Sequence, residues 1–276
     1  MAVTALSAPA IGAGLVTWLH AVPFQCRSSV RWLVGVPVKP TAQASLALTT
    51  VIAASCPALA TATSGWAVGD VHPGGASYSP LILRLAGKAW SRPATTYGTH
   101  GNDDVVLDGA AVTSGSSAWA VGHTQATSAL AHWNGSKWTS AYALFPLPAV
   151  YFFNGIAAGP GGTAFVVGSR LSGASQVPFS AKLAGTAWQK VTVSAPAGAA
   201  LNAVTFAPGG TVWAAGVAGA GTLILRWTGK AWARISSTTS SSAVNGLGFS
   251  AASYGWAVGT SGSDTLVLHW NGSTWK

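Results

Sequence analysis

Short runs of alternating large and small side chains, closed by Gly, Ser, Thr or Asn, recur along the chain. The clearest are Ser64-Gly65-Trp66-Ala67-Val68-Gly69, Ser117-Ala118-Trp119-Ala120-Val121-Gly122, Thr163-Ala164-Phe165-Val166-Val167-Gly168, Thr211-Val212-Trp213-Ala214-Ala215-Gly216 and Tyr254-Gly255-Trp256-Ala257-Val258-Gly259. Each leads on to a second aromatic: Trp90, Trp138, Trp188, Trp232 and Trp275. Eleven residues before each first anchor stand Ser55, Asp108, Asn154, Asn202 and Asn245, with no gap needed. Three registers kept in five copies mark a repeat protein.

Each unit resolves into four short strands. Strand a follows the Asn or Asp, as in Asn202-Ala203-Val204-Thr205-Phe206. Strand b is the Trp-Ala-Val-Gly run, whose alternation suits the two faces of a pleat. Strand c is apolar on both faces, as in Leu223-Ile224-Leu225 and Leu266-Val267-Leu268, which fits a sheet packed between two neighbours. A Gly-containing turn then enters strand d at the second Trp. In two units that turn holds Asn134-Gly135 or Asn271-Gly272, a hairpin signal because both residue types tolerate positive φ. Units of about 40–50 residues with four strands, stacked face to face, predict an all-β fold, a β-propeller of about five four-stranded blades.

Composition supports this and removes other classes. The chain has 276 residues with 34 Gly and 14 Trp, and charged residues make up 7%, where an ordinary soluble domain has roughly 25%. Helices of ordinary amphipathic kind would need more Glu and Lys. The 49% apolar content is enough for a sizeable core. No Glu occurs at all, which excludes His-Glu-x-x-His zinc hydrolysis, an EF-hand closing carboxylate and any glycosidase that needs Glu.

Charge changes the picture of partners. Net charge is +9 with 14 Lys and Arg against 5 acids, so partners of anionic character are expected: an anionic polysaccharide or a protein, with nucleic acid less favoured. Ten of the bases fall on the hairpins joining strands c and d. The residue ending strand c is Arg84, His132, Lys182, Arg226 and His269 in the five units, a basic type each time. Strands c and d are the outer strands of a blade, so these bases predict a belt around the rim. A solvated edge that deters sheet-edge aggregation explains the same charges. Ser55, Asp108, Asn154, Asn202 and Asn245 predict a second, axial polar ring at the central channel, with local turn capping as the competing explanation.

The Trp-Ala-Val-Gly … Leu-x-His-Trp-Asn-Gly-x-x-Trp pattern, seen fully in residues 119–138, resembles a β-propeller repeat of secreted actinobacterial proteins, kin to Asp-box and Kelch propellers. Gly255-Trp256-Ala257-Val258-Gly259 is also similar to the propeller of the photosystem II assembly factor family. The resemblance covers residues 54–276. It implies a propeller used for binding, with a sialidase-like glycoside hydrolase or lyase and an assembly-factor propeller as alternatives. His269-Trp270-Asn271-Gly272-Ser273-Thr274-Trp275 departs from an Asp-box, having Asn and no Asp. The sialidase constellation also requires a Glu that this chain lacks.

Residues 1–53 fit the repeat less well and read as a leader or a degenerate N-terminal segment. Arg27, Arg31 and Lys39 precede an apolar run, Leu46 to Ala54, followed by Ala58-Leu59-Ala60 and Ala60-Thr61-Ala62, the order of a secretory signal. Export to the envelope or medium follows, with no transmembrane anchor in the mature chain. Alternatively, Trp32-Leu33-Val34-Gly35 and Leu46-Ala47-Leu48 mimic strands b and c of a sixth blade, and Ala54 to Gly65 aligns with strand a of the first unit. Cys26 and Cys56 are too few for a disulfide framework or a Cys-based zinc site.

No phosphate loop or nucleophile elbow occurs, and His20, His72, His100, His123, His132 and His269 show no ligand spacing, so no metal and no cofactor are expected. Asp103 and Asp104 would point apart in an extended loop. Asp70 and Asp264, read as loop residues between strands b and c, form the one carboxylate pair available to glycoside chemistry, and solvated loop carboxylates explain them as well. The expectation is a monomeric, exported, non-catalytic binding or scaffold module.

Overall fold

A computed structural model describes residues 48–53, 64–71, 78–87, 89–95, 105–124, 128–141, 150–219, 221–235 and 242–276. The cysteines, Ser55, Asp103, Asp104 and the signal-like segment before residue 48 lie outside the described residues. Five antiparallel sheets follow one another along the chain. The first holds β1 (Leu48–Ala53), β2 (Ser64–Val71), β3 (Ser79–Ala86) and β4 (Ala89–Ser91). The second holds β5 (Val106–Ser114), β6 (Ser117–His123), β7 (Ser128–Trp133) and β8 (Trp138–Ser140). The third is β9 (Tyr151–Ala158), β10 (Ala164–Ser172), β11 (Ser175–Ala184) and β12 (Ala187–Val191). The fourth is β13 (Ala200–Phe206), β14 (Val212–Ala218), β15 (Gly221–Trp227) and β16 (Trp232–Ile235). The last is β17 (Ser242–Ala251), β18 (Tyr254–Ser261) and β19 (Asp264–Trp270). Its outer edge is continued by Trp275, which bridges to Trp270, and Lys276, which exchanges two backbone bonds with His269.

This is a β-propeller. Strand order within every sheet is sequence order, and the first strands of successive sheets touch one another, β5 with β9, β9 with β13 and β13 with β17, which puts them innermost. Between sheets, each strand-b aromatic meets the strand-d Trp of the next sheet edge-on. Trp66 meets Trp138 at 5.0 Å, Trp119 meets Trp188 at 5.2 Å, Phe165 meets Trp232 at 5.5 Å and Trp213 meets Trp275 at 5.8 Å. The edge-to-face geometry suits the ring quadrupoles. Ala120, Ala214 and Ala257 supply the flat ground beneath these aromatics, so the alternation of large and small residues has one use per face.

Two aromatics are less buried than their counterparts in the other sheets. Trp90 is 40% exposed, and Trp256 is half-buried. Trp256 belongs to the outward face of the last sheet, where no neighbouring sheet stands among the described residues, and Trp90 to the edge strand of the first, where its cross-strand partner Leu85 is buried.

The first strand also differs from expectation. It is Leu48–Ala53 rather than a strand within Ala54–Gly65, so it lies on the leader side of residue 53. Pro57 lacks the N–H a ladder needs, whereas Thr49-Thr50-Val51-Ile52 is β-branched throughout. The c–d turns of the second, fourth and last sheets are four residues long, whereas Ala86 pairs with Ala89 and Ala184 with Ala187 across two-residue turns in the first and third. Asn134 Oδ1 accepts from the Ser136 and Lys137 N–H groups, Asn271 Oδ1 from those of Ser273 and Thr274, and Thr228 Oγ1 from that of Ala231.

Candidate functional site

The five strand-c bases share one placement. Arg84 lies directly across from Trp66, His132 from Trp119, Lys182 from Phe165, Arg226 from Trp213 and His269 from Trp256. Each base is therefore the cross-strand partner of the anchor aromatic, a pairing that stabilises a sheet face. The Arg84 guanidinium lies 5.7 Å from the Trp66 ring and 5.5 Å from the Trp133 ring, and that of Arg226 lies 6.0 Å from Trp213. His132 stacks on Trp119 at 4.1 Å, and His269 leans on Trp256 at 4.6 Å. Arg84 and Arg226 are exposed and Lys182 is half-buried, and none has a carboxylate within ion-pair distance among the described residues.

His132 does not act as a belt cation. Burial pushes its imidazole below the usual histidine range, and its Nε2 lies 3.0 Å from Ser117 Oγ. Thr113 Oγ1 donates to that same hydroxyl at 2.8 Å. With Lys182, these side chains line a cleft of about 540 Å³ between the second and third sheets. Arg84, Lys182 and Arg226 are the Lys and Arg members of the set.

The axial residues do something that neither a free polar rim nor a local cap describes. Asp108, Asn154, Asn202 and Asn245 are each the extra residue of a β-bulge, because the register slips there against the Val-Gly or Ala-Gly step of strand b. The bulge drives the strand-a backbone onto that glycine. A Cβ on Gly122, Gly168, Gly216 or Gly259 would strike the carbonyl oxygen of Val106, Phe152, Ala200 or Ala243, respectively. The glycine that ends the strand-b motif in these four sheets is therefore required by the bulge fourteen residues earlier. In the first sheet the slip falls at Thr49, opposite Asp70 and Val71, so Thr49 holds the bulge there, and Ser55 lies outside the described residues.

The Asn side chains reach the next sheet. Asn154 Nδ2 donates to the Leu201 carbonyl at 2.9 Å, and Asn202 Nδ2 donates to the Val244 carbonyl at 3.0 Å and to Asn245 Oδ1 at 3.1 Å. Each acceptor carbonyl belongs to the residue before the next bulge. Asp108 breaks the series, since a carboxylate has no proton to donate. It bonds instead to His123 Nδ1 at 2.7 Å. That hydrogen bond raises the His123 pKa above its ordinary value, burial opposes it, and the charges of Asp108 and Asp70 add to the rise.

His123 shows no ligand spacing in the sequence, and its partner Asp108 lies in the same hairpin, fifteen residues earlier. Asp70 is not a solvated loop residue: it is buried in β2 at 3% exposure. Asp264 is the exposed first residue of β19, in the sheet at the other end of the series. No group of three His, Cys, Asp or Glu side chains is placed to hold a metal among the described residues. No helix among the described residues is long and apolar enough to cross a membrane.

No protein-family model matches the chain, and no curated protein matches it. Solved structures do. The structure of YCF48 bound to a D1 peptide matches at 18% identity and a TM-score of 0.51, covering 90% of this chain and 70% of that one. YCF48 from Cyanidioschyzon merolae matches at 14% identity and a TM-score of 0.38, covering 78% of this chain and 80% of that one. The first likeness supports the propeller fold.

Proposed function

We propose that the protein is a non-catalytic binding module of the cell envelope that holds an acidic segment of a protein partner against its outer rim. The observation that carries this reading is the cross-strand pairing of each strand-c base with an anchor aromatic. Arg84 and Arg226 are left exposed and Lys182 lines the cleft between the second and third sheets, with no acidic partner among the described residues. A cation resting on an aromatic face loses little side-chain freedom when an anion arrives. The likeness to a propeller solved with a peptide bound adds that this architecture can hold a peptide. The axial ring is the weaker candidate, because Asn154 and Asn202 already spend donors on neighbouring sheets.

An anionic polysaccharide would meet the same cations, and the test separates the two. The full chain is titrated with a Glu-rich peptide, a neutral peptide of equal length and a uronate oligosaccharide, and the mixtures are then analysed for products. Saturable binding of the acidic peptide, unchanged in mass, is expected. Preference for the oligosaccharide would move the ligand to glycan. Turnover would make the protein an enzyme, and no binding would remove the proposal.

Envelope location is part of the proposal and rests on the signal-like order of residues 27–62. Cleavage after Ala60 or Ala62 would remove β1 and leave the first sheet with β2 to β4. Intact-mass measurement of the native protein should find a chain that begins after one of these residues. A cytoplasmic chain retaining Cys26 and Cys56 would refute export.

A further inference from the structure

We infer that the outer face of the last sheet is a self-association surface, pairing with the same face of a second copy of this chain about a two-fold axis. On that face lie Tyr254, Trp256, Val258 and Thr260 of β18, with Thr265, Val267 and His269 opposite on β19. The paired Val258 and Val267 are 47% and 53% exposed. Their counterparts are closed at every interior junction: Val68 with Ile82 at 0% and 4%, Val121 with Leu130 at 0% each, Val167 with Ser180 at 0% each, and Ala215 with Ile224 at 0% each. A residue pair that four sheets use for packing against a neighbour is here left in water.

The glycines beside it show the same vacancy. A Cβ on Gly109 would meet Ile156 of the next sheet, and one on Gly155 would meet Asn202 and Ala203. On Gly246, at the same register, a Cβ would meet Val258 of its own sheet alone. A ridge of Trp256, Val258, Val267 and His269 therefore runs beside a low strip over Gly246 and Gly248. Ridge beside groove is self-complementary under a two-fold rotation.

Three further observations favour a second copy. The far face of the first sheet is not open to receive this ridge end to end, since Ala67, Leu81 and Leu85 are 2%, 5% and 5% exposed. The chain carries +9, which opposes contact between copies, yet none of the seven residues on this face is Lys, Arg, Asp or Glu. Its size also fits: three strands of about seven residues span roughly 15 by 24 Å. That footprint is below the roughly 800 Å² a side of a standard interface, so the association is weak and reversible.

The expectation of a monomer therefore gives way to a weak, reversible dimer. Sedimentation velocity of the full chain over roughly 1–200 µM should show a monomer–dimer equilibrium. Val258→Asp with Val267→Asp, and separately Thr265→Arg at an exposed position, should hold the chain monomeric with its thermal transition retained. Val112→Asp, at a partly exposed position on the second sheet, should leave the dimer intact. A monomer at all concentrations would overturn the inference, as would a dimer indifferent to both face variants. So would a monomer whose Trp256 resists acrylamide quenching, which would place a segment of the same chain on the face.

Discussion

Trp213 and Trp256 occupy the same register in adjacent sheets, each across from a strand-c base and each followed by the glycine that the bulge requires. Trp213 is 2% exposed and packs against Phe249, Trp270 and Trp275 of the next sheet, while Trp256 is half-buried against Tyr254 and His269 of its own. The motif thus specifies the inside of a sheet. What lies across the junction decides whether the same residue becomes core.

The largest expected effect follows from that contrast. Trp213→Ala should lower unfolding free energy by about 3–5 kcal/mol, as for other buried aromatics. Trp256→Ala should cost about half of that or less at concentrations where the chain is monomeric, because part of its ring is already in water. Chemical denaturation of the two variants side by side checks this, and equal losses would mean that Trp256 has a neighbour after all.

Glycine substitutions sharpen the same comparison by removing the junction from it. Gly216→Ala and Gly259→Ala both force a Cβ onto a strand-a carbonyl within one sheet. Backbone must move in each case, so both should lose about 2–3 kcal/mol, and by similar amounts. A much milder Gly259→Ala would show that the last sheet yields where the fourth does not.

Smaller effects belong to the axial bonds. Asn202→Leu removes the donor to the Val244 carbonyl and should cost about 1–2 kcal/mol. Asp108→Asn makes the opposite change, installing at the second sheet the donor that the third and fourth sheets use. Its thermal transition should move by no more than a few degrees, and its pH dependence should diminish.

That pH dependence has a definite sign. Because the Asp108 hydrogen bond raises the His123 pKa, the folded state holds this proton more tightly than the unfolded chain. The stabilisation is fully present below the ordinary histidine value and is lost as pH rises through the raised one. His132 has the reverse sign: burial lowers its pKa, so its contribution is present above the ordinary value and is lost as pH falls through the lowered one. Histidine proton NMR should find His123 titrating above His132, and Asp108→Asn should bring His123 down. A His123 that titrates below His132 would contradict the hydrogen bond.

Much of this fold was legible because its signals are local. Alternation in Trp-Ala-Val-Gly marks strand b, and a fixed offset to Asn or Asp marks strand a. The reason for that offset was not legible. Asn154 meets the Leu201 carbonyl and Asn202 meets that of Val244, in each case a full repeat away, so no run of adjacent residues carries the bond. The basic residue ending strand c was visible as a rule of composition, but its partner aromatic lies across a strand pair and emerged with the register. His132 looked like a cation and is not one at neutral pH, because burial is a property of the packed junction and not of the residue type. Trp256 shares its motif with buried Trp213, and the motif contains nothing about the neighbours that decide burial.

The claim that Arg84, Lys182 and Arg226 form the binding surface is tested most directly by reversing them. Acidic-peptide binding should be measured for the parent chain and for Arg84→Glu, Lys182→Glu and Arg226→Glu combined, across a series of salt concentrations. The parent affinity should fall steeply as salt rises. The triple variant should lose binding at every salt while remaining folded, with a modest drop in thermal stability from the lost Arg84 and Arg226 contacts with Trp66, Trp133 and Trp213. A triple variant that binds the peptide as tightly as the parent would contradict the account.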